Sequence, residues 1–200
     1  MKKVFIIGVV IVLLAGLGWA ATFLFPSAAG WTASESPSTA PATSTNPTQP
    51  DVSESSGREV PSGFAEYYNS QYHLSLLYPT TLKAVEHPED GGGMTVTFED
   101  IELKTVTGFQ IFIVPFEGAQ ITDERFKEDD PSGVRDNLKN ITVAGATGAE
   151  FDSTNALLGA THEVWFIHGL PGQGGYLYEV TTFKELGSWL DSIVQTWQFL

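Results

Sequence analysis

Hydrophobic and polar residues alternate along most of the second half of the chain, the spacing of half-buried β-strands. In "YHLSLLY" Tyr72, Leu74, Leu76 and Tyr78 fall on one face. In "MTVTFED" Met94, Val96 and Phe98 alternate with Thr95, Thr97 and Glu99, which leaves one face wet. "GFQIFIVPF" is apolar on both sides, as expected of a strand covered on both faces. "NITVAG", "GAEFDS", "THEVWFIHG" and "GYLYEVTTF" add four strands, and "EDGGG" and "GLPGQGG" read as hairpin loops. Two helices interrupt the strands. Thr122 is placed to cap "DERFKEDD", whose acidic first turn suits the helix dipole. Thr182 and Glu185 have capping-box spacing ahead of Leu186, Trp189, Leu190, Ile193 and Val194, a stripe at helical intervals. Gly187 interrupts that helix at a cost of up to about 1 kcal/mol. "TWQFL" alternates again and predicts a closing strand.

The N-terminal 64 residues follow other rules. After Lys2 and Lys3, the 22 residues from Val4 to Phe25 carry no charge. As a helix they would span roughly 33 Å, enough for a hydrocarbon core of about 30 Å. Residues 1–25 are therefore read as a membrane anchor, with a cleaved signal sequence as the alternative. The two lysines would stay on the cytoplasmic side and the rest of the chain would be exported, a single-pass cell-membrane protein with an extracytoplasmic C-terminal domain. Residues 26–64 are rich in Ser, Thr, Pro and Ala and have almost nothing to bury, so they read as a disordered linker. As flexible coil such a segment reaches roughly 30–36 Å. Residues 65–200 remain as the folded domain, large enough to bury about two-thirds of its unfolded surface. The expected fold class is α+β, an antiparallel β-sheet with helices packed on it.

Composition narrows the chemistry. The 200-residue chain has no cysteine, which excludes disulfides, thiolate metal sites and a cysteine nucleophile. Its formal net charge of −14 opposes binding to nucleic-acid phosphates. No Gly-x-Ser-x-Gly, His-Glu-x-x-His or Walker loop occurs. No catalytic residue and no cofactor is assigned. Asn140 opens an Asn-Ile-Thr sequon. The acidic runs Glu99-Asp100-x-Glu102 and Glu128-Asp129-Asp130 lack calcium-loop spacing and read as solvated rims.

The histidines give sharper expectations. His162 and His168 share a strand face with Val164 and Phe166, opposite Glu163, Trp165 and Ile167, but stand roughly 20 Å apart at about 3.3 Å per residue. If "QYHLSLLYPTTLKAVEH" folds as a hairpin about Pro79-Thr80-Thr81, Tyr78 pairs with Leu82 and His73 lands opposite His87. Those two imidazoles are the candidate metal ligands, with exposed, unliganded histidines as the alternative.

The order of landmarks also resembles a known family. A strand ending in Tyr-Pro ("LSLLYPTTLKAVE") is followed by "GFQIFIVPF", the helix "ITDERFKEDDPSG", the turn "ITVAGATGAEF", the pair "EVWFI…YLYEV", the helix "LGSWLDSIV" and the strand "TWQF". This is similar to PsbP-like domains, especially uncharacterised bacterial versions held outside a membrane anchor. A tryptophan usual shortly after Tyr-Pro is missing, and Leu82 stands near its place. The resemblance implies an α/β/α sandwich and a generally non-catalytic extrinsic or assembly role. It transfers no site residue. The expected function is thus a membrane-anchored binding or scaffolding domain for an unknown protein partner, with Trp165, Tyr176 and Tyr178 as the candidate face. Two alternatives stand beside it. One is an extracytoplasmic hydrolase with a polar pocket near Glu163 or His162. The other is a calcium- or zinc-responsive module.

Overall fold

The computed structural model describes residues 55–102, 107–156, 158–170 and 174–200, without the side chain of Leu170. The expected anchor and the linker up to residue 54 lie outside the described residues. Among the described residues no helix is long and apolar enough to cross a membrane.

Among the described residues, ten strands form two antiparallel sheets. The smaller has the order β1-β2-β10, from Phe64–Asn69, Leu74–Pro79 and Gln198–Phe199. The larger has seven strands. They are β3 (Leu82–Pro88), β4 (Met94–Asp100), β5 (Gly108–Phe116), β6 (Asp136–Val143), β7 (Ala146–Asn155), β8 (Gly159–Leu170) and β9 (Gly174–Phe183), in the order β3-β4-β5-β9-β8-β7-β6. Two short helices, α1 (Asp123–Asp129) and α2 (Gly187–Val194), complete this mostly antiparallel domain.

The alternation read in the sequence becomes the two faces of the large sheet. On β8, Val164 and Phe166 join the main core with Leu190, Ile193 and Val194 of α2 and with Tyr67, Leu74 and Leu76 of the small sheet. Trp165 and the half-buried Ile167 point the other way, into a second cluster with Phe151, Leu177 and Phe126 of α1. Each helix therefore closes one face. β4 is drier than its pattern suggests, since Thr95 and Thr97 are buried as well.

The expected opening hairpin is not formed. β2 pairs with β1 and β10, whereas β3 pairs with β4. The turn at Thr80-Thr81 is real, but it carries the chain from one sheet into the other. The reason is burial on both faces of β2: Leu74, Ser75, Leu76 and Leu77 are all buried. β1, which the alternation did not single out, supplies one of its neighbours.

Residues 55–64, inside the segment read as linker, are among those described, and some of them are held to the domain. Arg58 Nη1 donates to the Thr196 carbonyl at 2.7 Å, and Ser55 and Ser56 donate to Glu66. The Thr122 cap is present, with Arg125 N donating to its hydroxyl at 3.2 Å. The capping box before α2 is not. Thr182 lies on β9 and donates to the Gly108 carbonyl at 2.7 Å, while a 3₁₀ turn, Lys184–Leu186, leads into the helix. The β6–β7 turn places Ala144 and Gly145 both at positive φ (47° and 90°), the backbone of a two-residue I′ hairpin.

Candidate metal centre

Three elements converge on His162. β8 carries the imidazole, and β7 presents Glu150 and Asp152 beside it, with Asp152 directly opposite His162 in the register. α2 brings Asp191 over the same face, since Leu190, Ile193 and Val194 anchor that helix in the core. His162 Nδ1 lies 3.2 Å from Asp152 Oδ1. Its Nε2 lies 3.2 Å from Asp191 Oδ1 and 3.7 Å from Glu150 Oε1. Glu150, His162 and Asp191 offer ligand atoms all within 4.8 Å of one another. His162 is only 7% exposed, with the carboxylates at the half-buried rim.

The close packing of α2 explains Gly187. A Cβ there would stand 2.9 Å from His162 Cγ and 3.1 Å from Nδ1, so the missing side chain is what lets the helix approach the ring. The glycine that costs helix propensity thus admits Asp191 to the site.

Two lysines balance the carboxylates. Lys139 Nζ contacts Glu150 Oε1 at 2.6 Å, and Lys184 Nζ contacts Asp152 Oδ2 at 3.1 Å. Burial pushes the Asp152 carboxyl up, but hydrogen bonds from Asn137, Lys184 and His162 outweigh it and hold the group below its ordinary range. Lys139 is raised by its hydrogen bond to Glu150.

This arrangement has a definite chemical bias. With Asp152 ionised, the Nδ1–H of His162 points at it, the carboxylate–histidine pairing that fixes tautomer and orientation in metal sites. Nε2 then faces two carboxylate oxygens. Those three atoms could take a cation between them. Two ligands on a tetrahedral ion with bonds of about 2.0–2.1 Å stand roughly 3.3 Å apart. The His162–Asp191 separation of 3.2 Å matches that spacing, and the His162–Glu150 separation of 3.7 Å is wider, so Glu150 would close in by a few tenths of an ångström on a bound ion.

The other candidates are dispersed. His73 sits at positive φ (54°) before β2, and its carbonyl accepts from Leu200 N at 3.1 Å. His87 is on β3, opposite Thr95, with Nε2 3.4 Å from Thr97 Oγ1. With β2 and β3 in different sheets, the register that would oppose the two histidines does not exist. His168 stacks on Phe199 with ring centroids 3.6 Å apart. Trp165 and Tyr178 are core residues, and Tyr178 donates its hydroxyl to the Tyr72 carbonyl at 2.7 Å. Tyr176 is half-buried against Tyr72. The aromatic trio is therefore not an exposed face. Of the acidic runs, Glu99 accepts from Thr97 and Asp100 from the Glu102 amide. Asp129 instead turns inward to pair with Arg125, so the second run is not simply a solvated rim.

Sequence reasoning marked His162 but missed Glu150, Asp152 and Asp191 as its partners. The strand pair "GAEFDS" and "THEVWFIHG" carried part of that signal, because a tight pairing of them sets Glu150 and Asp152 beside His162.

No family model and no curated protein matches the chain. Among solved structures it is similar to the solution structure of cyanobacterial PsbP (CyanoP) from Synechocystis sp. PCC 6803. The identity is 12% and the TM-score 0.49, covering 74% of this chain and 99% of that one. It is also similar to a crystal structure from Bacteroides thetaiotaomicron VPI-5482, at 13% identity and a TM-score of 0.42, covering 68% of this chain and 48% of that one. The chain thus spans about half the length of the second protein. Structural similarity to cyanobacterial PsbP extends over 74% of the chain at distant sequence identity, and it concerns the course of the backbone, not a site.

Proposed function

We propose that the chain is a PsbP-like, non-catalytic binding domain on the extracytoplasmic side of a membrane, whose ligand is a divalent transition cation such as zinc. The single observation that carries the ligand is His162, with Nδ1 held by Asp152 and Nε2 facing Asp191 and Glu150. One imidazole and two carboxylates suit zinc better than calcium, which takes six to eight oxygens. A cation would share Glu150 Oε1 with Lys139, so binding is expected to loosen that ion pair.

The membrane reading rests on the uncharged run Val4–Phe25 behind Lys2 and Lys3. Protease added outside intact cells should remove the domain; full protection would refute the export. The cation is tested by titrating the detergent-solubilised 200-residue chain with zinc chloride while following thermal unfolding. A ligand at a hundred times its Kd stabilises by about 2.7 kcal/mol, which is a readily measured rise in Tm. The shift should vanish in His162→Ala. A zinc-independent Tm in the unmodified chain would overturn the reading.

A further inference from the structure

The two lysines of the His162 cluster hold different kinds of oxygen. Lys184, in the 3₁₀ turn before α2, contacts Asp152 Oδ2, while Asp152 Oδ1 faces His162 Nδ1. That carboxylate orients the ring and stands outside the trio Glu150, His162 and Asp191. Lys139 contacts Glu150 Oε1 at 2.6 Å, and this is the same oxygen that lies 3.7 Å from His162 Nε2. Its ammonium therefore sits on an atom that a bound ion would need. Lys139 comes from β6, the outermost strand of the large sheet. The strand is irregular just ahead of it: the register with β7 shifts between Asp136 and Lys139, and Asn137 has φ 58°. The first five residues of β6 are exposed. The Lys139 side chain is itself 59% exposed, against 14% for Glu150. More than half of it is already in water, so its ammonium can leave Glu150 without disturbing the core.

We propose that Lys139 is the resident cation of this site: its ammonium stands in for the metal ion on Glu150, and an entering ion must displace it. The inference rests on the cation reading given above and names what controls it. Zinc held by a carboxylate oxygen at about 2.0–2.2 Å would lie within about 5 Å of an ammonium still 2.6 Å from that oxygen. Two cations so placed repel each other, and one must yield. The ion also has His162 Nε2 and Asp191 to hold it, whereas the lysine has only an exposed ion pair, which is weak, and water to return to. The ammonium therefore gives way. Binding becomes an exchange of one cation for another, and the Lys139–Glu150 attraction is subtracted from the affinity for the ion. In the cation-free protein the same lysine keeps Glu150 from facing the Asp191 and Asp152 carboxylates uncompensated. Lys139 thus sets the concentration at which the site fills.

The zinc affinity of the detergent-solubilised 200-residue chain, measured by competition with a chromophoric chelator, tests this. Lys139→Met should bind zinc about two- to five-fold more tightly than the unmodified chain. Lys184→Met removes the same charge from Asp152 instead, and should tighten binding less. Equal affinity in Lys139→Met and the unmodified chain overturns the proposal. So does an equal gain in Lys184→Met, which would mean that net charge alone matters. A second measurement needs no variant. Zinc should speed the acetylation of Lys139 by an amine-directed reagent, followed residue by residue by mass spectrometry, because the amine is released from Glu150. An unchanged rate at Lys139 in the zinc-saturated chain also overturns the proposal. Each of these results leaves zinc binding itself in place. Absence of zinc binding in both the unmodified chain and Lys139→Met refutes the cation reading, and this proposal with it.

Discussion

His162 and Glu163 are neighbours on one strand, and the pleat sends them into opposite environments. On the His162 side, carboxylates ring a buried imidazole at a half-open rim, and two lysines reach in from water. On the Glu163 side, Glu163 and Glu179 are buried, and Arg125 of α1 pairs with Asp129 and reaches Glu179. The two sites use the same residue types to different ends. Where solvent and lysines are at hand, Asp152 keeps its charge below the ordinary range, and the cluster attracts a cation. Where they are not, burial pushes the Glu163 carboxyl up to about 7 and Glu179 well above its ordinary range. Access to water and countercharge, not the count of carboxylates, decides which.

The comparison can be broken first at Arg125. Arg125→Met leaves Asp129 buried with no countercharge, which should cost about 3–5 kcal/mol of stability in urea unfolding near pH 8. The loss should be smaller near pH 5 than near pH 8, because burial already raises the Asp129 carboxyl and removing the guanidinium raises it further. An equal loss at both pH values would mean that Arg125 acts only through packing. Zinc binding at the opposite face should be untouched.

A smaller effect sharpens the other side. Gly187→Ala gains up to about 1 kcal/mol of helix propensity but drives a methyl into the His162 ring, an overpacking of about 1–3 kcal/mol. The variant should be less stable in urea and should bind zinc more weakly, because the ring is pushed off Asp152 and Asp191. Net stabilisation with unchanged zinc affinity would show that the close approach at Gly187 is not needed for the site.

Much of the frame was legible because a pleated strand half-buried in a sheet must alternate. The two faces of β8 were read correctly residue by residue from "THEVWFIHG", and β8 and β9 do pair as antiparallel neighbours. The reading failed where local signals were honest but incomplete. Pro79-Thr80-Thr81 marks a turn, yet a turn does not say whether the strands it joins will pair. β2 needed cover on both faces, and its partners come from residues before it and from the end of the chain. Thr182 and Glu185 have capping-box spacing, but Thr182 belongs to β9, where its hydroxyl donates to the Gly108 carbonyl, and a 3₁₀ turn stands between the strand and the helix.

The sequence by itself determined the strand and helix periodicities, the absence of cysteine chemistry, the acidic charge and the face on which each β8 side chain lies. These follow from spacing and composition, which are local. Only the tertiary structure decided that His162 meets Glu150, Asp152 and Asp191, and that Glu179 meets Asp129 and Arg125. Those partners lie 10 to 54 residues away in sequence, on other strands and on helices whose placement depends on which apolar stripe finds which sheet face. Charge clusters of this kind are by-products of where the hydrophobic seams close. A one-dimensional pattern therefore names the residues but not their company.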